Sequence, residues 1–596
     1  MEFHIARDVR DRYQFDDALF STSGNVIIAN FHTARLFAQK MNLKRDLVSY
    51  PEKAVKAASI NAMGLIDEIQ HQVVALYRKQ RNPQAIGLAL DWLDEKLGAA
   101  AVDKAVRTFA DEFPTVSVHR NGIPVDAYLQ GQTDGIPNRE VVLEEMLMLW
   151  LANLNPAFSP FGELFDDTRL EHDASYRGLM TELHTFFETQ PPFGPESQNL
   201  IDMLRAPALA HPHSLLDQLN FIATRWRSVL GDLGLLLYRI LTSADFIREE
   251  SKTGFMGPGP SVAPTYSKDE LAAMGLTDPF GGIEVERYST DRDWMPRLVL
   301  IAKNTYVWLD QLSRKYQRNI TRLDQIPDEE LDELAARGFT GLWLIGLWQR
   351  SPASQRIKQL TGNPDALPSA YSLYDYHIGA DLGGEAGSDN LRERAARRGI
   401  RMASDMVPNH MGIDSPWVVE HPDWFLSVEN SPYPSYTFNG PDLSSDGRAA
   451  VYIEDHYYNR TDAAVVFKRV DRQSGETRYI YHGNDGTSMP WNDTAQLNYL
   501  MPQVREAVIQ TILHVARQFP IIRFDAAMTL AKRHVQRLWF PEPGSGGAIP
   551  SRSEHSITRE QFNAAMPEEF WREVVDRAAV EAPDTLLLAE AFWLME

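Results

Sequence analysis

Apolar residues recur every three or four positions through the first 250 residues of the chain. The clearest runs are Met63–Leu76 and Leu143–Leu154, and the segment Leu215–Leu241 is apolar throughout much of its length. This spacing places apolar side chains on one face of a helix. We find no repeat of fixed period, so a solenoid is not indicated. Residues 1–250 are therefore predicted to form one or two all-helical domains, and their pattern indicates no function.

The pattern changes after a segment rich in glycine and proline. Gly254–Pro264 is typical of a linker or loop, and it lacks the Gly-Lys-Ser/Thr sequence of a phosphate-binding loop. Residues 251–300 are predicted to be a linker with connecting strands, among them Arg297–Ala302. Beyond this point strand-like and helix-like segments alternate, which is typical of a parallel α/β sheet or barrel.

The strand-like segments are short apolar runs, and each follows an amphipathic helix pattern. The predicted strands are Gly341–Leu347, Arg401–Met406, Ile521–Asp525 and Thr585–Glu590, and the predicted helices are Asp328–Ala336, Asn390–Arg398, Val504–Gln518 and Pro567–Val580. A long insertion, residues 412–498, lies between the predicted strands Arg401–Met406 and Ile521–Asp525. It is rich in aromatic residues and short alternating runs, which predicts a β-rich segment.

Composition excludes several classes of protein. Of the 596 residues, 59 are Lys or Arg and 81 are Asp or Glu, which gives a net charge of −22. This charge argues against nucleic acid or an anionic membrane as the main partner. The chain has no cysteine, which excludes disulfides and thiolate chemistry. The N-terminus has no apolar signal segment, so we expect a cytoplasmic protein.

Polar side chains stand at the C-terminal ends of three predicted strands. They are Asp405 with Asn409 and His410, then Asp525, then Glu590. The carboxyl ends of parallel barrel strands meet at one face, so these groups are expected to converge. Two carboxylates on neighbouring strands are what a retaining glycosidase uses as nucleophile and acid/base. Taken singly, each residue also has a structural interpretation, such as a helix cap, a surface glutamate or a buried histidine.

Several segments together resemble the α-amylase family, glycoside hydrolase family 13. Asp405–His410, Arg523–Ala527 and Ala589–Glu590 resemble the family's first three signature regions and occur in the family's order. Ala370–Tyr376 resembles its second-strand segment, and Gln496–Pro502 resembles the stretch before its second region. The resemblance covers about residues 300–596. It implies a (β/α)8 TIM barrel of which only about the first five strands are present, counted from Gly341 and including the segment near Tyr371. Residues 301–411 and 499–596 would belong to the barrel, and 412–498 would be its domain B.

The resemblance also implies roles for individual residues. Asp525 would be the nucleophile and Glu590 the acid/base, kept protonated by apolar surroundings. Arg523 would hold Asp525 ionised, because a nearby cation lowers the pKa of a carboxyl group. The implied substrate contacts are a hydrogen bond from His410 and stacking by Tyr371. Asn409 matches a calcium ligand that only some members use, so no cofactor is required. Asp405 is expected to be structural.

The substrate expected from these residues is a neutral α-glucan or maltooligosaccharide, cleaved or transferred by double displacement. Met528 and Thr529 differ from the Lys-His pair of many members, which leaves hydrolysis and transfer both open. The family's fourth region, with its third carboxylate, does not occur. We therefore expect the 596-residue chain alone to be an incomplete enzyme. The alternative is a non-catalytic barrel protein that binds carbohydrate or a partner.

Overall fold

The computed structural model divides the chain into two compact units, Met1–Ser251 and Lys252–Glu596. The structure describes residues 2–15, 26–27, 31–47, 50, 53–119, 122–173, 176–230, 234–251, 291–433, 435–484, 490–545 and 552–591. The predicted linker Gly254–Pro264 lies outside these residues. The boundary near residue 251 follows the change of pattern from helical periodicity to alternating strands and helices.

The first unit is built from helices around one apolar core. Its helices are Arg7–Tyr13, Phe31–Asn42, Ala57–Gln80, Ala85–Leu93, Ala99–Glu112, Val116–His119, Val125–Leu129, Asn138–Leu154, Thr168–Asp173, Tyr176–Glu188, Leu200–Ala210, Leu215–Arg225, Arg227–Leu230 and Gly234–Ser251, with a π-helical turn at Asp94–Gly98 and a 3-10 helix at Pro156–Phe165. Short strand pairs join Glu2–Phe3 to Val26–Ile27 and Gln132–Thr133 to Ile136–Pro137. In the described part of the chain, none of the helices has the length and apolar character needed to cross a membrane.

The helix Ala57–Gln80 shows why the periodic segments fold as they do. Met63, Ile66, Ile69 and Val73 are all buried in the core, because their spacing brings them to one face. The apolar stretch Leu215–Leu241, in contrast, is divided among three helices in the structure.

A five-stranded parallel sheet organises the second unit. We call its strands β1 (Leu300–Asn304), β2 (Gly341–Ile345), β3 (Arg401–Met406), β4 (Ile521–Phe524) and β5 (Leu586–Ala589). They lie in the order β5-β4-β3-β2-β1, and every neighbouring pair is parallel. The strands follow the chain order, so the carboxyl ends of β3, β4 and β5 are adjacent at one edge.

Helices connect and cover these strands. They are Thr305–Tyr316, Asp328–Ala336, Pro352–Leu360, Gly384–Ala396, Pro416–Glu420, Pro502–Gln518, Lys532–Trp539, Arg559–Ala565 and Phe570–Glu581. Gly341 begins β2 beside two leucine side chains: a Cβ there would lie 2.6 Å from Leu298 Cδ1 and 2.8 Å from Leu300 Cδ1. A larger residue at this position would require these leucine side chains to move.

A small antiparallel sheet occupies the insertion between β3 and β4, the region predicted to be β-rich. Its strands lie in the order Ser427–Val428, Thr477–Tyr481, Val466–Asp471 and Ala449–Tyr452. The strands His410–Gly412 and Thr494–Gln496 pair at the two ends of the insertion. The two ends of the insertion therefore lie side by side, close to the end of β3.

The strand expected near Tyr371 does not belong to the parallel sheet, so the sheet has five strands but not the five that were expected. Leu373–Ile378 pairs antiparallel with Trp348–Arg350 in a separate hairpin, and the place of a fifth strand is taken by β1. The resemblance of Ala370–Tyr376 to a family segment indicated a strand, but the partner of a strand depends on residues outside the segment, here Trp348–Arg350.

Candidate active site

Three neighbouring strand ends bring Asp405, Asp525 and Glu590 together. Asp405 lies within β3, opposite Arg523 of β4, while Asp525 and Glu590 come directly after β4 and β5. The ladder continues one residue beyond the strands, since the N–H of Asp525 donates to Met406 O (2.9 Å) and that of Glu590 to Phe524 O (3.0 Å). These backbone hydrogen bonds therefore fix the positions of the main-chain atoms from which the Asp525 and Glu590 side chains extend.

Arg523 binds all three carboxylates. Its Nη1 lies 2.7 Å from Asp525 Oδ1 and 3.2 Å from Asp405 Oδ1, and its Nη2 lies 2.6 Å from Glu590 Oε1. The Arg523 and Asp525 side chains are each only 14 % exposed. One guanidinium with several rigid donors can hold carboxylates in fixed relative positions.

The turn after Asp525 adds backbone donors to Glu590. Ala526 has φ 47°, in the left-handed region, and its N–H donates to Glu590 Oε2 at 3.0 Å. The N–H of Ala527 donates to the Glu590 backbone carbonyl at 3.1 Å. A non-glycine residue in this region costs about 1–2 kcal/mol, so the surrounding contacts must hold it there.

Aromatic side chains lie next to Arg523 and the carboxylates that it binds. Trp343 of β2 donates from Nε1 to Asp405 Oδ2 (3.1 Å), and Trp348 donates from Nε1 to the Asp405 carbonyl (2.8 Å). The Arg523 guanidinium lies 5.5 Å from the Trp343 ring and 5.4 Å from the Tyr371 ring. Burial raises the pKa of Tyr371 to about 12. Trp343 was not among the site residues predicted from the sequence, although its position inside an apolar strand is a signal that could have indicated it.

The pKa of Asp525 differs from the expectation. Burial raises the pKa of Asp525 to about 7, outweighing the Arg523 cation that lowers it, and the Glu590 charge adds to the increase. Burial likewise raises the pKa of Asp405 to about 6 against the hydrogen bond from Trp343 and the Arg523 cation. Arg523 lowers the pKa of Asp525, as expected for a nearby cation, but the removal of the carboxylate from water is the larger effect here.

Glu590 does not lie in the apolar surroundings that the sequence suggested. Its side chain is 36 % exposed, and the apolar residues before it form the half-exposed strand β5. Its two carboxylate oxygens have different partners: Oε1 forms an ion pair with Arg523 Nη2, and Oε2 accepts a hydrogen bond from the N–H of Ala526. The apolar run Leu586–Leu588 thus contributes a strand rather than a desolvating pocket.

His410 is buried beside these groups, at the start of the strand that follows β3. Its Nε2–H donates to the Tyr371 carbonyl (3.0 Å), its Nδ1 lies 3.4 Å from Asn409 Nδ2, and its ring lies 5.1 Å from the Trp491 ring. Burial lowers the pKa of His410 to about 4, so the ring is neutral near pH 7. Both ring nitrogens have partners within the chain, and the sugar contact stays a prediction.

Asn409 does not present a set of ligands that fits calcium. Its side-chain amide pairs reciprocally with Gln496, with Gln496 Nε2 donating to Asn409 Oδ1 at 3.0 Å and Asn409 Nδ2 donating to Gln496 Oε1 at 3.2 Å. No group of three or more His, Asp or Glu side chains in the described ranges could hold a metal ion. Calcium requires six to eight oxygen ligands. A metal role for Asn409 stays a prediction from the sequence.

Met528 and Thr529 are turned into the protein. Both are buried in the short 3-10 helix Ala527–Leu530, and the Thr529 hydroxyl donates to the Ala526 carbonyl at 2.7 Å. At these two positions the described structure offers no polar group to a ligand, so they act by supporting the turn that carries Asp525.

Comparison with solved structures returns sugar-active enzymes at low similarity. An α-amylase from Lactobacillus plantarum is 18% identical, with 45% of this chain and 42% of that chain covered and a TM-score of 0.25. An α-amylase from Geobacillus thermoleovorans in complex with acarbose is 16% identical, with coverages of 51% and 48% and a TM-score of 0.27. A trehalulose synthase in complex with Tris is 16% identical, with coverages of 50% and 46% and a TM-score of 0.30.

The chain spans less than half the length of these three structures. No protein-family model matches the sequence, and no curated protein matches it. At this level of similarity the function has to be inferred from the residues of the site.

Proposed function

We propose that the second unit is an α-glucan-active glycoside hydrolase or transglycosylase that works by a retaining double displacement. Asp525 is the nucleophile and Glu590 the acid/base. The observation that supports this most is the bonding of Asp525 and Glu590 to the two terminal nitrogens of one guanidinium, at 2.7 and 2.6 Å. Retention needs two carboxyl groups about 5–5.5 Å apart, and carboxylates that share one arginine are close to each other.

The reaction would proceed in two steps. Asp525 attacks the anomeric carbon and forms an ester as the glycosidic bond breaks, while Glu590 gives a proton to the departing oxygen. Water or an acceptor sugar, deprotonated by Glu590, then displaces the ester. Arg523 would spread positive charge over the carboxylates at each stage, and Asp405 would orient Arg523 from the other side at 3.2 Å.

A neutral sugar is the substrate that these groups suit. Tyr371 and Trp343 offer aromatic faces at the polar cluster. The positive charge of Arg523 is already matched by three carboxylates, so it has little attraction left for a phosphate or a uronate. A neutral α-glucan or maltooligosaccharide remains the proposed partner.

The anomeric configuration of the first product tests this proposal. The full-length protein is incubated with a maltooligosaccharide, and the product is followed by proton NMR before it mutarotates. We expect the α-anomer first. Asp525→Ala should lower turnover by about three orders of magnitude or more, whereas the surface control Asp389→Asn should leave it unchanged. A β-anomer as the first product, or normal turnover in Asp525→Ala, would contradict the proposal.

A second candidate is a non-catalytic carbohydrate-binding unit. It is favoured by one observation: both oxygens of Glu590 contact protein groups, Oε1 the Arg523 guanidinium in an ion pair and Oε2 the N–H of Ala526. These contacts hold the Arg523 side chain and the turn at Ala526 in place, a structural role that needs no proton transfer. Maltooligosaccharide binding without any turnover, unchanged in Glu590→Gln, would favour this candidate.

A further inference from the structure

The all-helical unit contains a cavity of about 260 Å³ that the proposed function does not use. Four helices and the 3-10 helix Pro156–Phe165 contribute to its wall. Ile66, Leu204 and Phe158 are almost fully buried around it. At its rim, Leu154 and Leu209 are 42% and 64% exposed. The cavity is therefore an apolar slot that is open at one side.

The polar groups in the wall of the slot are satisfied by one another. Asn155 and Gln218 exchange amide hydrogen bonds of 2.8 and 2.9 Å, and Gln218 Nε2 also donates to the His211 carbonyl. Gln70 Nε2 donates to the carbonyl of Leu204, three residues before Pro207 in the helix Leu200–Ala210. An apolar chain that enters the slot would leave these hydrogen bonds intact. Its free energy of binding would therefore not be reduced by unpaired polar groups.

One cation lies at this slot. Arg205 lines it, and the guanidinium lies 5.8 Å from the Trp150 ring. Among the described residues Arg205 forms no ion pair with a carboxylate, unlike Arg177 or Arg239 of the same unit, which bind Glu171 and Glu68. A guanidinium with no acidic partner next to an apolar slot matches an anion that carries an apolar tail.

We propose that this slot binds a small monocarboxylate with an aliphatic tail, with the tail between Ile66 and Leu204 and the carboxylate on Arg205. The size agrees with this: a cavity of about 150 Å³ takes up benzene, so 260 Å³ accommodates a tail of several methylene groups. The proposal does not depend on the proposed function of the second unit.

Calorimetric titration of the full chain with hexanoate, heptanoate and octanoate tests the tail. Each added methylene should strengthen binding about fourfold, since burying one contributes about 0.8 kcal/mol. Ala208→Phe, which places a ring in the slot, should weaken octanoate binding at least tenfold. Affinity that does not change with chain length, or the absence of saturable binding, would overturn the proposal.

Replacement of the charge tests the head group. Arg205→Gln should reduce octanoate affinity to that of 1-octanol, and 1-octanol affinity should be unchanged. The control Arg227→Gln removes an exposed cation of the same unit that does not line the slot, and it should bind octanoate like the unmodified chain. Equal binding of octanoate and 1-octanol by the unmodified chain would show that the site has no preference for carboxylates, and it would overturn the proposal. This comparison needs no variant, so it remains decisive even if Ala208→Phe fails to fold.

Discussion

Arg523 and Glu590 form an ion pair of 2.6 Å across the neighbouring ends of β4 and β5. The same guanidinium binds Asp525 and Asp405, so one cation compensates three acidic side chains, of which two are mostly buried. The structure therefore makes Arg523 the residue on which the stability of the cluster depends.

Replacing Arg523 by glutamine should destabilise the second unit strongly. Breaking a buried pair leaves an uncompensated charge, which costs about 3–5 kcal/mol. We expect this loss at pH 8 and a smaller one at pH 5, where Asp525 and Asp405 take up protons. The control is Arg577→Gln, which removes partly exposed ion pairs to Glu506 and Glu581 and should cost under about 1 kcal/mol. Urea unfolding at the two pH values gives both numbers, and equal losses for the two variants would contradict this expectation.

Asp525 should also make stability depend on pH in a definite direction. Its pKa is about 7 in the folded protein and about 3.9 when unfolded. Between these values the folded state binds more protons, so the contribution of Asp525 to stability falls as pH rises from about 4 to 7. Asp525→Asn lacks this titration. Its melting temperature, relative to the unmodified protein, should rise over that interval, and a relative decrease would mean that Arg523 outweighs burial.

Trp343 should position Asp405 through its indole N–H. Trp343→Phe keeps an aromatic ring beside Arg523 but removes the hydrogen bond to Asp405 Oδ2. Leaving a buried carboxylate oxygen without this donor should cost about 1–3 kcal/mol. The control Trp294→Phe removes a similar bond, to the exposed Asp584, and should cost much less. Denaturant titration compares the two, and equal costs would show that the Asp405 contact contributes little.

Gly412, at the start of the insertion, should be required for full stability of the second unit. A Cβ there would lie 2.8 Å from the Leu373 carbonyl oxygen and 2.8 Å from Ser351 Cβ, and backbone cannot give way as a side chain can. Gly412→Ala should destabilise by about 1–3 kcal/mol through overpacking. A Cβ added at Gly447 would meet no atom within 4 Å, so Gly447→Ala is the matched control. A stability loss as small as that of the control would show that the backbone around Leu373 and Ser351 moves aside at little cost.

The strands that carry the site were predictable, and their environment was not. The apolar runs ending at Asp525 and Glu590 indicated β4 and β5 to within one residue, because a buried parallel strand is a local pattern. The pairing of Leu373–Ile378 with Trp348–Arg350 and of Asn409 with Gln496 joins segments distant in sequence. The pKa of Asp525 depends on how much water the fold removes, and the exposure of Glu590 depends on what covers β5. Neither the pKa of Asp525 nor the exposure of Glu590 can be predicted from the residues next to it in sequence.

Glu590 should be distinguished from Asp525 by its dependence on the leaving group. General acid catalysis contributes about 10²–10⁴-fold to a poor leaving group and little to a good one. Glu590→Gln should therefore lose that much rate on maltooligosaccharides but far less on an activated α-glucosyl fluoride. Initial rates on both substrates measure this, and equal losses would remove Glu590 from the acid role.

Covalent trapping tests the role of Asp525 most directly. The full-length protein is treated with a fluorinated α-glucosyl fluoride that forms the ester quickly and loses it slowly, and tryptic peptides are weighed by mass spectrometry. Cleavage after Arg523 and Lys532 gives the peptide Phe524–Lys532, in which Asp525 is the only acidic side chain. We expect the glycosyl mass on this peptide and none in Asp525→Asn. An adduct on the peptide that contains Glu590, or turnover without any adduct on Phe524–Lys532, would contradict the assignment of Asp525 as the nucleophile.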